Sequence, residues 1–167
     1  MPEGAVTRLV EDCARLGLTI ATGESLTAGL VAATLAEVPG CSAVLRGGVV
    51  AYHPDLKASL LGVPAADLER GIVSETVARA MARGAAARLG ADVGVGTTGV
   101  AGPDPHDGEP VGSVWIAVTA PWGDRAGHLR LTGDRDAIRR DTVRACLSML
   151  ADLLPDRPDP VAAPVRE

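Results

Sequence analysis

The sequence has 167 residues, 47% of them hydrophobic, and a formal net charge of −5. This length and apolar content predict one domain with a sizeable core over residues 1–154. The acidic balance and the 2% aromatic content weigh against a nucleic-acid partner, which needs a basic surface and rings for base stacking. No apolar run approaches the roughly 18 residues of a membrane helix, and no signal peptide pattern is present, so we expect a cytoplasmic protein without membrane contact.

The first half of the chain alternates helical and strand patterns. Apolar residues recur at helical spacing from Leu26 to Val38, directly after the short apolar run "LTIAT". The Gly47-Gly48 pair inside "VLRGGVVAY" indicates a bulge or a close approach by another segment. The predicted elements are a helix at 4–16, a strand at 18–22, a helix at 26–38, a strand at 44–52, and helices at 53–61, 64–69 and 75–89.

The second half begins with a strand that runs into a glycine-rich loop, 99–112. Strands are predicted at 91–99, 113–120 and 126–133, a closing helix at 134–154 and a mobile proline-rich tail at 155–167. Helices and apolar strands in this order predict the α/β class, as a three-layer α/β/α sandwich with a mixed, mostly parallel sheet. Ligands of such sheets bind beyond the carboxyl ends of the strands.

Ser25 lies where a predicted strand passes into a predicted helix. One interpretation is that it caps the helix by accepting a backbone N–H of the first turn. The other is that it is a nucleophile whose oxyanion is stabilised by those same N–H groups. Capping serines far outnumber catalytic ones, so the residue pattern alone favours the cap. The G-x-S-x-G elbow of esterases is absent because Thr27 stands where the second glycine would be.

An activated Ser25 would need a base, and none of the three histidines, His53, His106 and His128, is well placed in the sequence. Tyr52 and Lys57 are the alternatives. Lysine accepts a proton only when burial or nearby cations lower its pKa. Lys57 is the one lysine among sixteen basic residues, which suggests that arginine would not serve there, although an exposed helical lysine is the ordinary interpretation.

Two further segments carry candidate ligand-binding groups. Thr97 and Thr98 end a strand just before glycines that allow a ligand to approach the backbone. Arg135 and Arg139 are four residues apart at the start of the closing helix, where a planar guanidinium suits phosphate. Salt bridges to neighbouring aspartates are the alternative for these arginines.

Six segments, in order and spacing, resemble the CinA C-terminal domain family of nicotinamide-nucleotide amidohydrolases. The resemblance covers about residues 3–154. It implies an α/β/α fold and hydrolysis of the carboxamide of nicotinamide mononucleotide to nicotinate mononucleotide and ammonia, without a cofactor or a metal. The segments are "GESLTAG", "EVPGCSAVLRGGVVAYHPDLKASLLGV", "GIVSE", "GTTGVAGP", "PVGSVWIAV" and "GDRDAIRR".

The resemblance assigns roles to the candidate residues. Ser25 becomes the nucleophile and Lys57 the base. Tyr52 and Thr98 become groups that orient the amide or relay a proton, and Arg135 becomes a phosphate ligand. Further substrate contacts are expected from Thr27, Gly29, Gly99 and Arg139.

The sequence departs from the family pattern in ways that keep other functions open. Ala28 replaces the first glycine of a Gly-Gly pair, and Glu109 replaces a lysine in the loop. A non-catalytic nucleotide- or partner-binding module of the same fold is therefore an alternative, and a general serine esterase is a third. We also expect a homo-oligomer, a dimer, that pairs through the Ala-rich helix or the closing helix.

Overall fold

The computed structural model describes residues 4–155, so residues 156–167 of the predicted tail lie outside the described residues. Helices and strands alternate largely as the apolar spacing predicts. The helices are α1 (Ala5–Arg15), α2 (Leu30–Ala36), α3 (Pro54–Leu61), α4 (Ala65–Arg70), α5 (Glu75–Leu89) and α6 (Arg135–Leu153), with a 3₁₀ turn at Cys41–Ala43. The strands are β1 (Ile20–Glu24), β2 (Leu45–Val50), β3 (Val93–Gly99), β4 (Ser113–Ala120) and β5 (Gly123–Arg130).

The five strands form one sheet in the order β2-β1-β3-β4-β5. Strand β1 pairs in parallel with β2 and β3, whereas β4 is antiparallel to both β3 and β5. The predicted three-layer α/β/α sandwich with a mixed sheet is confirmed. Its pairings divide equally between parallel and antiparallel, so the sheet is less parallel than expected. The reason is that no helix separates the last three strands, and a parallel pairing needs such a crossover.

Helices cover both faces of the sheet. Helix α5 packs on β1, β3 and β4, while α2 and α6 pack on the opposite face, with α1 against both of them. Helix α5 lies close enough to β3 that a Cβ on Gly94 or Gly96 would stand 2.0 or 2.2 Å from a carbonyl oxygen of the helix. The buried alanines of α5 therefore face the domain's own sheet, and the buried apolar residues of α6 belong to the core. These buried faces of α5 and α6 form part of the domain's own core, and the dimer stays a prediction.

Strand β2 contains the close approach that its glycine pair indicates. Ile20 aligns with Leu45 but Ala21 aligns with Gly47, so Arg46 is the extra residue of a bulge. A Cβ on Gly48 would lie 2.5 Å from the Thr22 hydroxyl oxygen. The prediction of a bulge or a close approach is confirmed.

Two predicted boundaries were wrong. Helix α2 begins at Leu30 rather than at residue 26, because Ser25 to Gly29 form turns in which Ala28 and Gly29 have positive φ angles of 51° and 91°. Strand β5 begins at Gly123, which leaves a two-residue hairpin loop where five residues were expected. None of the helices within residues 4–155 has the length and apolar character to cross a bilayer.

Candidate active site

The parallel strands β2, β1 and β3 end at the same edge of the sheet, and a cavity of about 240 Å³ opens there. Six of the predicted site residues line this cavity: Ser25, Tyr52, Lys57, Thr98, Gly99 and Arg135. Three others, Thr27, Gly29 and Arg139, are not among its lining residues. A larger cavity of about 430 Å³ between α1, α2 and α6 contains none of the predicted residues.

Ser25 directly follows β1 and is 8% exposed. Its backbone N–H donates to the carbonyl oxygen of Thr97 on β3 at 3.1 Å, which fixes the residue against the neighbouring strand. Within residues 4–155 its hydroxyl takes part in no hydrogen bond with another side chain or the backbone. The hydroxyl is therefore available to a ligand in the cavity.

The residue that caps α2 is Glu24, not Ser25. The Glu24 carboxylate is fully buried and accepts hydrogen bonds from the backbone N–H groups of Gly29, Val31 and Ala32 at 2.9–3.1 Å, and from the Thr22 hydroxyl at 2.9 Å. The N–H groups at the start of α2 are thus already paired with a negative charge. The predicted serine cap is therefore wrong, and the N–H groups of Gly29, Val31 and Ala32 are not free to bind an oxyanion. An acidic residue just before a helix was the signal, since carboxylates favour helix N-termini.

Lys57 lies on α3 and is 1% exposed. Its ammonium nitrogen donates to the backbone oxygens of Ala51 and Tyr52, each at 3.0 Å. Within residues 4–155 no carboxylate forms a salt bridge with it. Burial lowers the pKa of Lys57 from 10.5 to about 8, because desolvation disfavours the charged form.

Both N–H groups of a neutral Lys57 amine are accounted for by the two carbonyl oxygens. A neutral amine has two N–H groups and one lone pair, so these two hydrogen bonds leave the lone pair free to accept a proton. The amine faces the same cavity as Ser25. The geometry thus supports a base at Lys57, and the interpretation as an exposed helical lysine is wrong.

Thr98, Tyr52 and Arg135 connect the loops that surround the cavity. The buried Thr98 hydroxyl donates to the carbonyl oxygen of Ile72 at 2.7 Å and keeps its lone pairs for a further donor. Arg135, at the start of α6, donates to the Tyr52 hydroxyl and to the carbonyl oxygen of Gly102, each at 2.7 Å. Arg135 therefore bridges the loop after β2 and the loop after β3, and its remaining N–H groups are exposed at the rim.

Arg139 and its neighbours support the turn after Ser25 from outside the cavity. Its guanidinium donates to the carbonyl oxygens of Leu26 and Thr27 at 3.0 and 2.9 Å. The Thr27 hydroxyl is 2.8 Å from the Thr97 hydroxyl, which ties the same turn to β3. Gly29 is the N-cap residue of α2. These residues hold the backbone of the turn. Arg139 binds backbone oxygens there rather than the neighbouring aspartates.

The loop after β3 adds two ionisable residues to the cavity that the sequence did not single out as site residues. Asp104 and His106 line it, and within residues 4–155 neither side chain has a hydrogen-bond partner. The Asp107 carboxylate anchors this loop by accepting the backbone N–H of Ile72 at 2.6 Å. Glu109 instead accepts the Ser113 hydroxyl at 2.6 Å and does not line the cavity.

The other two histidines lie elsewhere. His53 precedes α3 and contacts Asp55, and His128 stacks on Trp115 with a ring-centroid distance of 4.7 Å. Within residues 4–155 no group of three or more His, Cys, Asp or Glu side chains is arranged to hold a metal ion.

The fold and the cavity define the chain as a three-layer α/β/α domain with a serine and a buried lysine at the carboxyl edge of its parallel strands. The chain belongs to the CinA C-terminal domain family, whose sequence model matches residues 3–154. It is 49% identical over 152 residues to a CinA-like protein of Anaeromyxobacter sp. (strain K), covering 90% of this chain and 36% of that protein. The chain thus spans about a third of the length of the curated relatives it matches.

Solved structures agree with this assignment. The competence/damage inducible protein CihA from Agrobacterium tumefaciens superimposes with a TM-score of 0.87 at 39% identity, covering 90% of this chain and 94% of that one. A competence-damaged protein (CinA) superfamily protein from Escherichia coli superimposes with a TM-score of 0.87 at 32% identity, covering 91% of this chain and 90% of that one.

Proposed function

We propose that this domain is an amidohydrolase that converts nicotinamide mononucleotide to nicotinate mononucleotide and ammonia, as a step of pyridine nucleotide recycling. The observation that carries the proposal is that Ser25 and Lys57 line one cavity, the lysine buried with a pKa of about 8 and the serine hydroxyl without a side-chain partner within residues 4–155. The resemblance of the six sequence segments supplies the substrate.

The reaction begins with Ser25. Its oxygen attacks the carboxamide carbon while the neutral Lys57 amine accepts the hydroxyl proton. The protonated Lys57 then returns this proton to the departing amide nitrogen, and ammonia leaves an acyl-enzyme on Ser25. Water, deprotonated by the same amine, attacks the acyl carbon, and the protonated Lys57 returns the proton to the Ser25 oxygen as the nicotinate product leaves. The Thr98 hydroxyl, which can still accept a hydrogen bond, orients the amide NH₂.

Arg135 supports the choice of a nucleotide substrate. The cavity of about 240 Å³ is below the roughly 300 Å³ at which ligand pockets usually begin, so it suits the pyridine carboxamide rather than the whole nucleotide. Arg135 lies at its exposed rim, where a phosphate linked through the ribose can remain solvated. An arginine with unused donors is well suited to that phosphate.

Ammonia release from nicotinamide mononucleotide by the wild-type protein and by Ser25→Ala tests the proposal. Ser25→Ala should lower kcat by at least about a thousandfold, because loss of a covalent nucleophile removes most of the catalysis. Its melting temperature should stay close to that of the wild type, since no side-chain hydrogen bond of Ser25 is lost. Equal rates in the two proteins would reject the nucleophile, whereas tight nucleotide binding without ammonia release would favour a non-catalytic binding module.

The altered loop bears on that alternative through Asp104 and His106, which line the cavity, and not through Glu109. Glu109, the residue that departs from the family pattern, is hydrogen-bonded to Ser113 and does not line the cavity. A charge change at this position therefore leaves the groups around Ser25 in place.

A further inference from the structure

The turn after β1 contains two backbone N–H groups without an acceptor. Ser25, Ala28 and Gly29 donate their N–H groups to Thr97, Ser25 and Glu24, respectively. Within residues 4–155, the N–H groups of Leu26 and Thr27 make no hydrogen bond. These residues are only 3% and 0% exposed. Buried N–H groups are nearly always paired, so an unpaired one on a residue that borders a cavity indicates a place for an external acceptor.

The unpaired N–H groups adjoin the reacting hydroxyl. Leu26 lines the cavity together with Ser25. The carbonyl oxygen of Ser25 accepts the N–H of Ala28 across the turn. Because the carbonyl and the N–H of a trans peptide point in opposite directions, the N–H of Leu26 points away from the interior of the turn. Consecutive N–H groups of this kind form an anion-binding concavity.

Arg139 fixes the second of these peptide planes. Its guanidinium donates to the carbonyl oxygen of Leu26 at 3.0 Å, so the N–H of Thr27, on the same peptide, is directed away from α6. A second bond, at 2.9 Å, holds the carbonyl oxygen of Thr27.

The start of α2 cannot supply the donors instead. Its N–H groups at Gly29, Val31 and Ala32 are bound to the Glu24 carboxylate. A tetrahedral intermediate on Ser25 needs donors that are free in the resting protein. The N–H group of Leu26 meets this condition, and Leu26 lines the cavity.

We propose that the backbone N–H group of Leu26 binds the oxyanion formed on the substrate, and that Arg139 is the positioning residue that holds this turn from the far side through the carbonyl oxygens of Leu26 and Thr27. This inference rests on the proposed function for the identity of the substrate. It gives Arg139 an indirect role in stabilising the transition state, whereas the sequence predicted a contact with the substrate.

Steady-state kinetics of Arg139→Met, Arg139→Lys and Arg140→Met with nicotinamide mononucleotide test this role. Arg139→Met should lower kcat about 10- to 100-fold, somewhat less than the loss of a direct oxyanion donor, with KM within about twofold of wild type. Arg139→Lys should recover part of kcat, since an ammonium can still bind one carbonyl oxygen. Arg140 is an exposed arginine of the same helix that pairs with Asp136, so Arg140→Met is the matched control and should behave as wild type.

Pyridine-3-boronic acid provides a second readout that does not depend on turnover. Its boron accepts a lone pair from the Ser25 oxygen, the hydroxyl proton passes to Lys57, and the tetrahedral boronate places an oxygen where the oxyanion would lie. Its inhibition or binding constant should rise in Arg139→Met by about the factor by which kcat falls, while the affinity for the nicotinate product stays unchanged.

The outcomes separate the two proposals. A raised KM with unchanged kcat in Arg139→Met would make Arg139 a substrate ligand and overturn the positioning role, as would unchanged boronate affinity. A wild-type protein that binds the boronate but releases no ammonia would overturn the proposed function alone, and weaker boronate binding by Arg139→Met would still support the oxyanion donor. If Arg139→Met does not fold, Arg139→Lys must show the intermediate loss of kcat at constant KM for the inference to stand.

Discussion

Lys57 illustrates how burial of one residue changes the pKa of its side chain. The ammonium has lost its water without gaining a carboxylate, and its pKa falls to about 8 as a result. Two carbonyl oxygens hold the amine in position on α3. An arginine would keep its charge at any physiological pH, which explains why the only lysine of the sequence stands here.

The pH dependence of kcat/KM should report this group. A base must be neutral to accept a proton, so the rate should rise with pH and level off above about 8, as the folded protein loses the Lys57 proton. Lys57→Arg and Lys57→Met should each lower kcat/KM by at least about a hundredfold, the first by keeping a permanent charge and the second by removing the amine. Rates measured from pH 6 to about 10, with melting curves as the folding control, check this; a flat profile in the wild type would exclude Lys57 as the base.

Among the structural elements, the turn between β1 and α2 contains a residue with a strained backbone conformation. Ala28 is an exposed residue with a φ of 51°, a left-handed conformation that costs a residue with a Cβ about 1–2 kcal/mol relative to its usual conformation. The turn needs this conformation because Gly29 and Ala32 must bring their N–H groups to Glu24. The methyl group of Ala28 therefore lowers the stability of the turn.

Replacing Ala28 by glycine should stabilise the domain. Ala28→Gly should raise the free energy of unfolding by about 1 kcal/mol, since the relief of left-handed strain exceeds the added entropy of the unfolded chain. Ala33→Gly, an exposed alanine within α2, is the matched control and should lower it by about 1 kcal/mol. Chemical denaturation of both variants measures the two changes, and the same sign for both would show that Ala28 is not strained.

At the scale of the whole molecule, the site is assembled from segments far apart in the sequence. Ser25 follows β1, Lys57 lies on α3, Thr98 on β3 and Arg135 at the start of α6, and all four line one cavity at the edge of the sheet. Arg135 joins two of these loops through the Tyr52 hydroxyl and the carbonyl oxygen of Gly102. Recognition of a phosphate by Arg135 would therefore use an arginine already oriented by the tertiary structure.

Removal of the Arg135 guanidinium should affect the nucleotide and spare its dephosphorylated form. Arg135→Gln should raise KM for nicotinamide mononucleotide about 10- to 100-fold, which corresponds to a charge-assisted hydrogen bond of about 1.5–3 kcal/mol. KM for nicotinamide riboside, which lacks the phosphate, should change less than about threefold. Arg140→Gln, on the exposed side of the same helix, serves as the control. An equal increase for both substrates would assign Arg135 to the loop contacts alone.

Much of the fold and of the candidate site could be predicted from the sequence. The helical spacing of α5 and α6, the apolar strands and the Gly47-Gly48 bulge all depend on local residue patterns. The resemblance of the ordered segments to the CinA family identified six of the residues that line the cavity. Hydroxyl, amine and guanidinium groups could be proposed from the sequence because their chemistry belongs to the residue itself.

The tertiary structure decided what those groups can do. Glu24, not Ser25, caps the start of α2. Arg139 binds the backbone rather than lining the cavity, and Lys57 is buried in the folded domain. These outcomes depend on which N–H and carbonyl groups are left unpaired after folding and on how much water reaches a charge. Pairing and desolvation arise from contacts between distant segments, so the periodicity of one segment determines that segment's conformation but not the protonation or the partners of its side chains.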